Sequence, residues 1–232
     1  MRARTHRSSD AIDCGEGETA GIRFDDRVHA GELLAHCVRA AIPDRAGLVV
    51  YALPRGGVPV ARVVADELGV PLTATFVRKI GAPGQEEYGI GAVTEDGVAM
   101  VDHEAADAIG ATGATLDAVI DRAQRQLVAQ RDHFSAVRTT LAPADCAVAL
   151  VVDDGLATGV SAIAAARYLR RQGAPRVDLA VPVCARESLQ RVEKEFDCVV
   201  YVTCPTAMGG VSRWYEHFDQ TSDELVARLL AR

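Results

Sequence analysis

Two adjacent carboxylates followed by a loop of small residues form the most chemically informative stretch of the chain. It runs Ala149-Leu150-Val151-Val152-Asp153-Asp154-Gly155-Leu156-Ala157-Thr158-Gly159-Val160-Ser161. The apolar run predicts a buried strand that delivers Asp153 and Asp154 to its carboxyl end, where open α/β sheets bind ligands. A glycine-containing turn into a helix N-terminus cradles anions, because its backbone N–H groups point outward. Gly155 and Gly159 let the backbone approach the anion, and Thr158 and Ser161 add hydroxyl donors. The two halves make opposite demands. The loop suits a phosphate, whereas the acids repel one and suit hydroxyls or a cation. A sugar phosphate satisfies both, and magnesium is also drawn to such oxygens. An ordinary capped turn would account for one Asp, not for two plus the Thr-Gly that follows. Neither G-x-x-x-x-G-K-[ST] nor a strand followed by G-x-G-x-x-G occurs.

The elements that must position these groups follow from the hydrophobic pattern. Apolar residues at helical spacing predict helices over 26–41, 58–68, 114–134, 161–172, 186–195 and 221–231. Apolar runs predict strands over 47–53, 72–77, 146–152, 177–183 and 198–203, and a short hairpin joins 90–94 to 98–101 through Glu95-Asp96-Gly97. Strands alternating with helices argue an α/β domain, an open, mostly parallel twisted sheet flanked by helices. Residues 1–20 lack periodicity and read as a flexible tail, and 21–232 as one domain.

Two further clusters lie at predicted strand ends. Leu53-Pro54-Arg55-Gly56-Gly57 combines a cation with a Gly-Gly turn, and Arg78-Lys79 supplies two more cations. Residues 81–91 hold five Gly or Pro with Gln85, Glu86 and Glu87, the composition of a mobile loop. The chain of 232 residues is 49% hydrophobic with net charge −7, which argues against a generic nucleic-acid partner. No apolar run is long enough to span a bilayer. The six cysteines form no C-x-x-C pair and read as buried thiols of a cytoplasmic protein. Arg122, Arg125, Arg131 and Arg138 read as a solvated face or an oligomer contact, and His103, His133 and His217 as scattered surface or packing residues.

The stretch Val151–Ser161 resembles the phosphoribosyl pyrophosphate (PRPP) signature of type I phosphoribosyltransferases. Phe24–Gly31, Val77–Pro83 and Val211–Gln220 resemble a subgroup of poorly characterised bacterial members, so the likeness covers nearly the whole chain after the tail. The resemblance implies that Asp153 and Asp154 hold the ribose hydroxyls and draw Mg2+. It implies that Gly155, Leu156, Ala157, Thr158, Gly159, Val160 and Ser161 hold the 5-phosphate. It gives the pyrophosphate to Arg55, Gly56 and Gly57, with Arg78 and Lys79 neutralising its charge. It makes 81–91 a closing loop in which Glu86, Glu87 and Tyr88 are candidate actors, Glu87 among the catalytic group. It also implies a small hood built from terminal segments, in which Trp214 and Tyr215 could stack on the acceptor.

The implied reaction moves a 5-phosphoribosyl group from PRPP to a nitrogenous base or related small acceptor and releases pyrophosphate, in a cytoplasmic homo-oligomer. Ala157 stands where the hypoxanthine-guanine branch carries a proposed general base, which argues against a 6-oxopurine acceptor. The alternative from another class is a regulator that binds PRPP without turning it over.

Overall fold

In a computed structural model, residues 10–13 and 22–232 are described. Six strands form one parallel sheet: β1 (Asp10–Asp13), β2 (Leu48–Ala52), β3 (Leu72–Ala74), β7 (Val148–Val152), β8 (Val177–Val183) and β9 (Cys198–Thr203), in the order β1-β9-β8-β7-β2-β3. Strands β2, β7, β8 and β9 are buried along their whole length, as a sheet covered on both faces requires. One core, containing Leu34, Val64, Leu150 and Val200, packs α1 (Arg27–Ala41) and α2 (Gly57–Leu68) on one face. The other, with Tyr51, Val151, Leu169 and Val181, packs α5 (Val160–Arg171) and α6 (Arg186–Val192) on the opposite face. The expected α/β architecture is therefore present. Of the segment read as a tail, β1 pairs with β9, and the rest lies outside the described residues.

The largest departure from the sequence reading lies between residues 72 and 101. The single strand expected over 72–77 is two. β3 ends at Ala74, and β4 (Val77–Ala82) belongs to a separate antiparallel sheet with β5 (Gln85–Thr94) and β6 (Ala99–Val101), in the order β4-β5-β6. Between them Phe76 is fully buried, and its N–H donates to the Glu95 carboxylate at 2.9 Å. The loop expected over 81–91 is instead largely the β4–β5 hairpin, turning at Pro83-Gly84. Its Gly and Glu content hides it, because what makes the hairpin is pairing with β4 and β6, not local propensity. The β5–β6 hairpin agrees with the reading, and Gly97 N–H closes its turn on the Thr94 carbonyl at 2.8 Å.

Two further helices, α3 (His103–Ala108) and α4 (Ala114–Phe134), follow the small sheet, and α7 (Asp223–Leu230) closes the chain. Asp102 caps α3 and Ser222 caps α7 through their side chains. The terminal segments meet as the hood reading expects. Phe24 N–H donates to the Trp214 carbonyl at 2.8 Å, and Glu216 N–H donates to the Phe24 carbonyl at 2.7 Å.

Candidate active site

The two acids sit where β7 ends, held from three directions. Asp153 accepts a hydrogen bond on Oδ1 from the Asp154 N–H at 2.9 Å. Asp154 Oδ2 accepts from Arg27 Nε at 2.9 Å, in an ion pair whose side chains are only 12% and 14% exposed. The Tyr215 hydroxyl donates to the Asp154 carbonyl at 2.6 Å. Burial, together with the charge of Asp154, pushes the Asp153 carboxyl well above the usual carboxylate range. Burial also raises Asp154, though the Arg27 guanidinium pulls it back down. Two carboxylates in so little water repel each other, and a cation or a pair of hydroxyl donors relieves that repulsion.

The Arg55-Gly56-Gly57 turn lies directly against these acids. A Cβ on Gly56 would overlap Asp154 Oδ2 and stand 2.7 Å from its Cγ, and one on Gly57 would stand 2.7 Å from the Val152 carbonyl oxygen. Only glycine permits this approach, since real Cβ atoms do not come within 3.0 Å of such neighbours. The Pro54–Arg55 peptide is cis.

The loop after the acids is tied to the neighbouring strand. Leu156 N–H donates to the Val183 carbonyl at 2.8 Å, and Ala185 N–H donates back to the Leu156 carbonyl at 3.0 Å. The Ser188 hydroxyl of α6 holds the Ala157 carbonyl. Ala157 and Thr158 remain exposed. Gly159 takes φ 78°, which leads into α5 without a side-chain cap. The first-turn N–H groups of α5 have no intrahelical acceptor, as at any helix N-terminus, and no side-chain cap.

A cleft of about 1060 Å³ joins the cationic parts, lined by Arg55, Arg78, Lys79, Ser161 and one side of α4. Arg78 and Lys79 do not end a strand of the main sheet as expected. They are the second and third residues of β4, and the small sheet carries them to the cleft. Arg78 Nε donates to Gln126 of α4 at 3.1 Å. Arg55 Nη1 reaches Asp223 at 3.4 Å. Glu86 and Glu87 fall on β5, and their side chains lie outside the described residues. Tyr88 is exposed.

Tyr215 does not offer the stacking face expected of it. The residue is 1% exposed, its ring lies between Phe24 (centroids 5.2 Å) and Phe218 (4.9 Å), and it belongs to the core. Trp214 is half-buried, with Nε1 donating to the Met208 carbonyl at 3.1 Å. Arg27 was not among the expected site residues, and Arg122, expected on a solvated face or an oligomer contact, and His133, expected as a surface or packing residue, both line the cleft. A signal for Arg27 was present: Asp26 caps α1 by accepting from Val28 and His29 N–H groups, so Arg27 is a cation in a first turn. The helix dipole disfavours a cation there, so its placement calls for a partner elsewhere.

Among the described residues, no group of three or more His, Cys, Asp or Glu side chains could hold a metal ion unaided. Asp153 and Asp154 fit magnesium in a more limited sense. They offer hard carboxylate oxygens to an ion that ordinarily keeps waters and takes oxygens from a phosphorylated substrate. No helix among the described residues is long and apolar enough to cross a membrane.

A parallel sheet with two acids, a small-residue loop and a glycine turn at the carboxyl ends of its strands has the architecture in which open α/β folds place their ligand sites. The family model of the phosphoribosyl transferase domain matches residues 28–216, and the chain belongs to that family. Two curated proteins of Mycobacterium tuberculosis, strains H37Rv and CDC 1551, are 39% identical over 209 residues and carry the name "Putative phosphoribosyl transferase". The matched region is 90% of this chain but 46% of theirs, so the chain spans about half the length of these relatives. The crystal structure of TT1426 from Thermus thermophilus is 36% identical, with a TM-score of 0.75, covering 90% of this chain and 98% of that one.

Proposed function

We propose that the protein transfers a 5-phosphoribosyl group from PRPP to a nitrogenous base or related small acceptor and releases pyrophosphate. The observation that carries this reading is the contact between the Gly56-Gly57 turn and the Asp153-Asp154 pair. In this reading the acids take the ribose diol, the loop from Gly155 to Ser161 takes the 5-phosphate, and Arg55, Arg78 and Lys79, which line one cleft with Ser161, take the pyrophosphate. PRPP has that order of groups, with a 5-phosphate, vicinal hydroxyls and a pyrophosphate.

The acceptor nitrogen forms a bond to the anomeric carbon as the carbon–oxygen bond to pyrophosphate breaks, and the bonding electrons leave with the pyrophosphate. Positive charge grows on the ribose ring and negative charge on the leaving group. Asp153 and Asp154 hold the ring hydroxyls and face the growing positive charge. Arg55, Arg78 and Lys79 meet the growing negative charge, and such preorganised electrostatics is usually the largest catalytic contribution. Asp153 and Asp154 would hold magnesium, which when bound supplies neutralisation of pyrophosphate charge. The β4 end of the β4–β5 hairpin lines the cationic cleft and would limit water at the activated carbon.

The test is pyrophosphate release from PRPP and magnesium across a panel of purines, pyrimidines and other nitrogen heterocycles. Release that requires one acceptor supports a transferase and names its substrate class. Binding of PRPP with no release across the panel would overturn the transferase reading in favour of a PRPP-binding regulator.

A further inference from the structure

Arg27 lies 127 positions from Asp154, yet its guanidinium is built into the acid pair. Nε donates to Asp154 Oδ2 at 2.9 Å, Nη1 donates to the Asp219 carbonyl at 2.8 Å, and the guanidinium carbon stands 3.9 Å from the Phe218 ring centroid. Three kinds of contact thus converge on one planar group: a carboxylate, a backbone carbonyl and an aromatic face. A guanidinium held this way is a fixed fork, which a lysine ammonium cannot reproduce. Gly56 also packs against this carboxylate, so closely that a Cβ there would overlap Oδ2. Packing of α1 does not explain the arrangement, because the first turn of a helix is an unfavourable place for a cation.

We propose that Arg27 is a positioning residue of the sugar site. It holds Oδ2 of Asp154 so that the carboxylate presents its other oxygen to a ribose hydroxyl. It also makes that orientation depend on the C-terminal segment Phe218-Asp219, which links the terminal hood to donor binding. The proposal rests on the phosphoribosyltransferase reading. Arg27 acts through Asp154 and does not itself touch reacting atoms. Its loss should therefore weaken ligands that carry the ribose diol, and spare pyrophosphate alone, which meets Arg55, Arg78 and Lys79.

The experiment is a double-mutant cycle. PRPP with magnesium, and separately magnesium pyrophosphate, are titrated into wild type, Arg27→Gln, Asp154→Asn and the double variant, each checked for native circular dichroism. We expect each single variant to lose about tenfold or more in PRPP affinity, and the double variant to stay within about threefold of the weaker single, as coupled residues do. Pyrophosphate affinity of Arg27→Gln should remain within about twofold of wild type, and Arg27→Lys should recover only part of the PRPP loss. Losses that multiply, an Arg27→Gln variant that binds PRPP normally, or an equal loss for pyrophosphate would overturn the proposal. Should Arg27→Gln fail to fold, Arg27→Lys carries the same cycle, and its defect must vanish in the Asp154→Asn background. A wild type that binds no PRPP refutes the phosphoribosyl reading itself. A wild type that binds it, with multiplying losses, refutes only the role of Arg27.

Discussion

Gly56→Ala tests the contact on which the site depends. Gly56 has φ −59° and ψ −35°, a conformation that alanine adopts without strain. Replacing glycine at such a position would ordinarily stabilise the protein by about 0.4–1 kcal/mol through the unfolded chain. Here the added methyl would stand 2.7 Å from Asp154 Cγ and overlap Oδ2. Carbon atoms pack at about 3.5–4.0 Å, so the carboxylate must move by about 1 Å. That movement breaks the 2.9 Å bond to Arg27. A hydrogen bond between charged groups contributes about 1.5–3 kcal/mol, so PRPP affinity should fall by about 10- to 150-fold. The assay is calorimetric titration of PRPP with magnesium into both proteins. Gly69→Ala is the control: φ is +65° and a Cβ there meets nothing within 4 Å. It should cost about 1–2 kcal/mol of stability from backbone strain and leave affinity unchanged. A Gly56→Ala protein that binds PRPP within about twofold of wild type would refute the reasoning.

The acid pair also makes stability depend on pH. Burial and the Asp154 charge raise the Asp153 carboxyl well above its usual range. Such a group stabilises the fold at acidic pH, and the contribution is lost as pH rises through the raised value. Asp153→Asn should therefore raise the unliganded melting temperature at neutral pH, by about 2–4 °C for each kcal/mol of repulsion removed. The gain should shrink toward about pH 4, and scanning calorimetry at several pH values would show a uniform offset if the explanation is wrong. Lys79→Ala should lower kcat about tenfold while changing PRPP affinity little, since pyrophosphate charge grows along the reaction; equal losses in steady-state and binding measurements would remove it from that role. Glu95 is 6% exposed and pairs with Arg138 at 2.6 Å while accepting from Phe76 N–H. Glu95→Ala should cost about 1–3 kcal/mol in urea denaturation, because it leaves the buried Phe76 N–H without its acceptor and removes the partner of a partly buried guanidinium.

The parallel sheet was legible because its strands advertise burial. Val148–Val152, Val177–Val183 and Cys198–Thr203 are largely apolar runs bounded by turns, and a sheet covered on both faces needs nothing subtler. The 21-residue helix Ala114–Phe134 coincides with its predicted span because long amphipathic periodicity is the strongest local signal. The β4–β5 hairpin was not legible. Gln85 to Gly91 has the composition of a loop, and only pairing with β4 and β6 makes it a strand. Tyr215 misled for a related reason: adjacent aromatics near a C-terminus do not reveal which ring faces the core.

The chemistry of the site was largely written in local order. Asp153-Asp154 followed by small residues could be read in isolation, because a carboxylate pair leading into a small-residue loop is a short-range arrangement, whereas Arg55-Gly56-Gly57 and Arg78-Lys79 took their expected roles only from the family resemblance. Tertiary structure alone decided how these pieces meet. It set Gly56 against Asp154, moved Arg78 and Lys79 onto a second sheet, and brought Arg27 from the start of α1 to the acids. Those relations join residues far apart in the chain. They depend on how helices pack across the sheet, and no window of sequence carries that information.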